Sequence, residues 1–430
     1  MKTWAVRLYG EKDLRLESFE LPEIQDGEIL ARIVSDSICM SSFKAAKQGP
    51  KHKRVPDDVA ENPIIIGHEF CGEIVEVGAK WANQFKAGDK FSIQPAMNDA
   101  GGPVGILSAP GYSFQNIGGD SQYIVIPEAV MTNNCLLPFS GEAFYQGSLA
   151  EPVSCLVGGF HANYHTTPGS YVHDMGIVEG GAMALLAGVG PMGLGAIDYA
   201  IHCDRRPSLL VVTDIDTARL ERAASIYTVE EAKANGVELI YVNTAEEGKG
   251  VDYLKSLTPN GEGFSDVFVY APVRPVIEQA DKILAFDGCL NFFAGPTDPA
   301  FAAEFNFYNV HYAATHVVGT SGGNTDDMIE SLAMMTQGKL NPSTMITHVG
   351  GLDAVIETTL NLPDIPGGKK LVYTGISMPL TALDDLAERG KDSPLCGGLA
   401  EIVARNNGLW SAEAEAYLLE NAPSIESALE

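Results

Sequence analysis

Two groups of residues in this 430-residue chain have types and spacing that could do chemistry. The first is Gly188, Gly190 and Gly193 in LLAGVGPMGLGAI, a G-x-G-x-x-G with Pro191 and Met192 inside it, placed directly after an apolar run and before a helical pattern. The first glycine permits a tight turn, the second lets backbone approach a pyrophosphate, and the third lets helix pack on strand while the helix N-terminus faces the phosphates. A second apolar run, LLVVTDID, ends in Asp214, 26 residues after Gly188, where a carboxylate can bind ribose hydroxyls. Asp214 would repel a 2′-phosphate, which favours NAD(H); Arg219 nearby leaves NADP(H) open. The alternative is a glycine turn chosen for packing alone.

The second group is Cys39, then His68 and Glu69 in IIIGHEF, then Glu151 in SLAEPVSC. A thiolate, an imidazole and a carboxylate suit zinc with an open fourth position, the arrangement a catalytic site needs. Taken singly, the same residue types also serve as a buried structural cysteine, a hydrogen-bonded core histidine and a helix-capping acid.

Five cations, Lys44, Lys47, Lys51, Lys53 and Arg54, with His52 among them, follow Cys39 in a chain that carries 28 Lys and Arg against 56 Asp and Glu. At physiological salt the Debye length is about 8 Å, so distant acids are screened while these charges are felt locally. A substrate phosphate would respond to that field. The competing reading is a solvated loop paired with Asp57, Asp58 and Glu61.

The surrounding elements must position these groups. From residue 1 to about 135, short runs such as EILARIVSDS, FCGEIVEVG and SQYIVIP alternate with Gly, Pro and Asp turns and predict an irregular antiparallel barrel. Between about 180 and 320 the rhythm becomes strand, glycine turn and helix, the pattern of a parallel doubly wound sheet. KKLVYTGI could return a strand to the first domain, and the residues after Met378 alternate apolar and acidic at helical spacing. The expected domains are 1–160, catalytic; 161–323, dinucleotide-binding; 324–376, a return to the first; and 377–430, a helical extension.

A formal charge of −28 argues against nucleic acid or an anionic membrane as partner and leaves small molecules or proteins. No apolar run approaches the roughly 18 residues a bilayer span needs. The N-terminus lacks a signal-peptide pattern. The seven cysteines are scattered without a C-x-x-C pair, which fits a reducing cytoplasm and excludes a local four-cysteine zinc clip.

GHEFCGEIVEVG with its upstream cysteine, GGDSQYIVIP, LAEPVSC and GVGPMG stand in the order seen in the zinc-dependent medium-chain alcohol and polyol dehydrogenases, which the chain resembles over most of residues 1 to 375. The resemblance implies a GroES-like β-barrel, a Rossmann domain, and one catalytic zinc held by Cys39, His68 and Glu151, with Glu69 beside it. Ser41 occupies the family's proton-relay position. Ser42 stands where the family commonly has aspartate, and Lys44 where it often has a relay histidine. The family's structural-zinc lobe is absent, since residues 94 to 119 contain no cysteine.

A narrower resemblance, to sugar-phosphate reductases of that family, is carried by KHKRVPDDVAENPIIIGHEFCGE and DGCLNFFAGP. It implies interconversion of a ketose 1-phosphate and a hexitol phosphate, L-sorbose 1-phosphate and D-glucitol 6-phosphate, with Lys51, Lys53 and Arg54 toward the phosphate. An unphosphorylated polyol or secondary alcohol is the enzymatic alternative, and a nucleotide-binding protein without turnover is the other. A homo-oligomer is expected, and the histidines of residues 161 to 181 are expected at its surface or interface rather than as ligands.

Overall fold

The computed structural model describes residues 1–429. The chain divides into two units, Met1–Glu151 with Asn324–Thr336 and Met345–Glu430, and Pro152–Gly323 with Gln337–Thr344. The division falls at Glu151, inside the helix Ala150–Ala162, rather than after residue 160. The C-terminal residues belong to the first unit, not to a body of their own.

In the first unit the strand Ile29–Ile38 is central. It pairs antiparallel with Phe70–Val77, Tyr123–Ile126 and the returning strand Lys369–Tyr373, and nine of its ten residues are buried. A strand buried over nearly its whole length is covered on both faces. One face meets Phe70, Ile74, Phe91 and Ile124, which close the barrel core. The short helices Pro394–Arg405 and Ala412–Asn421 fold back onto the returning strand. Trp410, Leu399 and Leu418 are buried there with Val349, Leu371 and Tyr373. Ser393 and Ser411 cap these helices by accepting from the N–H groups of Cys396 and Ala414.

In the second unit six parallel strands run in the order Glu238–Asn243, Leu209–Asp214, Ala182–Leu186, Phe264–Val269, Leu284–Phe292 and His316–Val318. The chain reverses direction across the sheet beside Ala182–Leu186, and the glycine turn leaves the C-terminal end of that strand, where doubly wound sheets bind ligands. A Cβ on Gly193 would lie 2.1 Å from the Gly188 carbonyl oxygen, so only glycine lets the helix Pro191–His202 sit this close to the turn.

His165 differs from the surface placement expected for the histidines of residues 161 to 181. It is buried, with Nε2 3.1 Å from Asp266 Oδ1 and Nδ1 3.0 Å from the Asp287 carbonyl oxygen. Two carboxylates drew an imidazole inward, a long-range pairing that local sequence does not show. No helix among the described residues is long and apolar enough to cross a membrane.

The two glycines separate packing from function. Gly193→Ala should lower unfolding free energy by about 1–3 kcal/mol through overpacking against backbone. Gly190→Ala, whose Cβ meets nothing within 4 Å, should change it by less than about 0.5 kcal/mol. Urea titrations of the two variants check the difference.

Candidate active site

Cys39, His68 and Glu69 converge although they lie on different segments: their ligand atoms fall within 4.8 Å of one another. Cys39 stands at the N-cap of the helix Met40–Gln48, just past the central strand. His68 and Glu69 occupy the turn before Phe70–Val77, and Gly67 at φ 92° makes that turn possible, because a Cβ there would meet Asp36 Oδ2 at 2.3 Å. Asp36 accepts the Glu69 N–H at 3.0 Å and Ser37 N–H reaches the Glu69 carbonyl at 3.1 Å, so backbone bonds fix the turn to the strand that ends at Cys39. Asp36 and Asp120 are fully buried together, and burial raises both, Asp120 to about 7. Glu151 stands in the first turn of its helix; burial is what chiefly raises the thiol of Cys39 and the phenol of Tyr112, and the Glu151 charge adds to both.

Each imidazole nitrogen of His68 has a partner. Ser42 Oγ lies 3.2 Å from Nδ1 and the Tyr112 hydroxyl 3.1 Å from Nε2. With its proton on Nδ1, donated to Ser42, the ring keeps the Nε2 lone pair for a cation. Ser42 thereby does the orienting that aspartate does in the resembled family. Ser41 is half-buried, and it pulls the Tyr112 phenol down against the larger upward effect of burial. Lys44 is half-buried on the helix Met40–Gln48, and its charge reaches His52.

Glu69 is not a free ligand. Burial alone would raise its pKa, but Lys369 Nζ donates to both its oxygens, at 2.6 and 2.7 Å, and holds the carboxyl below the usual range. Both side chains are buried, and Glu69 in turn raises Lys369 against the pull of burial. Burial pushes Cys39 up to about 12 and His68 down to about 4. The donor set of neutral imidazole, thiol and nearby carboxylate therefore fits a zinc ion that displaces the thiol proton.

The five cations separate. Lys51 pairs with Glu11 at 3.2 Å, not with Asp57, Asp58 or Glu61; Lys53 is exposed; and Lys47 lies over the Phe43 ring. Arg54, half-buried as Lys44 is, meets Tyr112. Its guanidinium is 5.6 Å from the Tyr112 ring centroid, Nη1 donates to the Leu107 carbonyl at 3.2 Å, and its charge lowers His68.

In the second unit, Asp214 ends its strand, and Oδ1 accepts from the N–H groups of Ile215 and Asp216. Gly190 is the N-cap of the following helix, Pro191 its first residue, and the space in front of Gly190 is open. Nothing in the protein requires glycine at Gly190; close approach of a pyrophosphate would.

Sequence reasoning missed Tyr112 and Lys369. Tyr112 carried no signal, being one aromatic in an irregular loop. Lys369 did: two consecutive lysines in the apolar run KKLVY cannot both face solvent.

The profile of the alcohol dehydrogenase GroES-like domain matches residues 25–139, and that of the zinc-binding dehydrogenases matches residues 191–337. The chain is 54% identical over 419 residues to a mannitol-1-phosphate 5-dehydrogenase of Aliivibrio fischeri, covering 97% of this chain and 98% of that one. It is 52% identical over 423 residues to an L-sorbose 1-phosphate reductase of Klebsiella pneumoniae, covering 98% of each. The crystal structure of a 2R,3R-butanediol dehydrogenase from Bacillus subtilis superposes with a TM-score of 0.67 at 23% identity, covering 86% of this chain and 99% of that one, and so shares its fold.

Two expectations follow from this geometry. Between about pH 6 and 8 zinc uptake should release about one proton, that of Cys39, so the apparent association constant should rise about tenfold per pH unit. Calorimetry in buffers of different ionisation enthalpy measures this, and a pH-independent affinity would contradict it. Separately, Lys369→Met should cost about 3–5 kcal/mol in urea unfolding, because it strands a buried carboxylate.

Proposed function

The chain belongs to the zinc-dependent medium-chain dehydrogenases, a family of oxidoreductases, and we propose that it interconverts a ketose phosphate and a hexitol phosphate with NAD(H). L-sorbose 1-phosphate and D-glucitol 6-phosphate are the pair favoured. The observation that carries the phosphate is Arg54, brought against Tyr112, which itself touches His68.

Cys39, His68 and Glu151 hold the metal, and zinc bound there supplies Lewis acidity to the substrate oxygen. NAD(H) bound in the second unit would supply or accept the hydride. The turn Gly188–Gly193 and the helix starting at Pro191 hold its pyrophosphate, and Asp214 takes the ribose hydroxyls and disfavours NADP(H). Ser41 gives the substrate oxygen its proton during reduction, with the Tyr112 hydroxyl, on which it acts, as the source of resupply. Lys44 stands at the outer end of this path. Glu69, neutralised by Lys369, keeps a carboxylate beside the metal without adding a net charge. Among the described residues one His, Cys, Asp and Glu cluster of metal-binding size is found, Cys39, His68 and Glu69, with Glu151 outside it, which supports one zinc per chain.

A homo-oligomer is part of this reading. It is supported by the outer edge of the strand His316–Val318 and by the exposed rings of Phe307, Tyr308 and Tyr312 nearby in sequence.

NADH oxidation assayed with ketose phosphates and the corresponding free ketoses tests the proposal. Wild type should prefer the phosphorylated substrate. Arg54→Gln removes a charge-assisted bond of about 1.5–3 kcal/mol, so kcat/KM on that substrate should fall about 10- to 100-fold with little change on the free ketose. An equal loss on both would place the phosphate elsewhere, and activity surviving complete removal of zinc would overturn the metal mechanism.

A further inference from the structure

The C-terminal helices carry a buried acid that nothing in the reaction uses. Glu415 is 4% exposed. Its Oε1 accepts the N–H of Phe144 at 2.6 Å; its Oε2 accepts the N–H of Tyr145 at 2.8 Å and the Tyr373 hydroxyl at 2.9 Å. Tyr373 in turn accepts from Trp410 Nε1 at 2.8 Å. Phe144 and Tyr145 open the five-residue helix Phe144–Ser148. A helix this short has no internal acceptors for its first N–H groups, so the carboxylate supplies them from the far end of the chain.

That helix touches every segment of the metal set. Ser148 Oγ bonds the hydroxyl and, at 3.2 Å, the carbonyl of Ser35, on the strand that delivers Cys39. A Cβ on Gly147 would lie 2.4 Å from Cys71 Sγ, so the helix is pressed directly on the strand that follows His68 and Glu69. Ser92 Oγ bonds the Gly147 carbonyl at 2.8 Å and the Phe70 carbonyl at 3.3 Å, stitching helix to strand. Two residues after Ser148 the chain enters the helix that carries Glu151. Cys39, His68 and Glu151 come from three remote parts of the sequence, and the helix Phe144–Ser148 is where their supports meet.

From this we infer that the C-terminal extension is a positioning element of the metal site, with Glu415 setting the helix that registers the three ligand segments against one another. The inference rests on the zinc reading above. Burial raises the Glu415 pKa against all three donors, so its ionised form is carried at a cost in stability, as expected of a group kept for geometry. Glu415 is a positioning residue: it acts through the helix and touches no reacting atom.

The test is cobalt substitution of the full-length protein, because the visible absorption of Co²⁺ reports the arrangement of its ligands. Glu415→Gln keeps the shape but cannot accept from both backbone N–H groups. It should shift the cobalt bands and release zinc to a chelator about tenfold faster, while NADH affinity stays at the wild-type value. Ser148→Ala loosens the same helix from the Ser35 side and should move both readouts in the same direction, which decides the matter if Glu415→Gln does not fold. Glu426→Gln, at another carboxylate of the extension, bonded to Gln122 Nε2 at 3.0 Å, should leave both unchanged. Wild-type spectra and release rates in the folded Glu415 and Ser148 variants would overturn the proposal, even with lowered melting temperatures. A wild type that takes up no cobalt would be a different result, removing the zinc reading and this inference with it.

Discussion

Glu69 is buried to 1% exposure, and its charge is met 300 residues away by Lys369. Much of the first unit is tied to that pair. The strand Lys369–Tyr373, which follows the second unit in sequence, pairs antiparallel with Ile29–Ile38, so the first unit is discontinuous in sequence. The pair fixes the Glu69 side chain while Asp36 and Ser37 fix its backbone. His68, one residue earlier, inherits a turn held on both sides. A buried ion pair of this kind contributes little net stability against a hydrophobic replacement, but losing one partner is costly, so its value lies in specifying one arrangement.

Local charge placement lets an acidic chain hold cations at one site. The net charge of −28 describes the whole surface and says nothing about a site a few ångströms across. Lys369 neutralises Glu69, and Arg54 is held over an aromatic face with one N–H committed to Leu107. Lys51 is paired outward with Glu11 and is a solvated surface charge. Of the basic run, position in the fold rather than density in the sequence selects Arg54.

The legible parts of the sequence were those whose physics is local. Gly188, Gly190 and Gly193 announce a turn because the absence of a side chain is itself the signal, and the parallel sheet around them follows from the rhythm of apolar runs. Cys39, His68 and Glu69, which the fold brings together, stood out through motif order, which integrates information that spacing alone lacks. What stayed hidden depends on contacts across hundreds of residues: the Lys369 to Glu69 pair, the carboxylates around His165, and Glu415 beneath the helix Phe144–Ser148. The tail read correctly as helical from its apolar period. Its attachment to the catalytic unit could not be read, because a polar residue at a buried helical position looks the same in sequence as one facing water.

The missing cysteine lobe and the unexpected Tyr112 belong to one change. In the resembled family four cysteines clip the loop after the barrel core; here residues 94 to 119 have none, and the loop must be held by other means. Hydroxyls hold it. Ser108 accepts the Val104 N–H at 2.9 Å, Ser113 accepts the Ala109 N–H at 3.1 Å, and Ser113 Oγ donates to the Arg54 carbonyl at 2.7 Å. The last of these ties the loop to the basic segment itself, so the bond that replaces a metal clip also brings Arg54 and Tyr112 together. Between Ala109 and Ser113 the chain turns tightly enough to bury Tyr112, and its hydroxyl reaches His68 Nε2. The loop thus reaches His68 by the same contacts that keep it folded, and Arg54 and Tyr112 come to share one hydrogen-bonded surface.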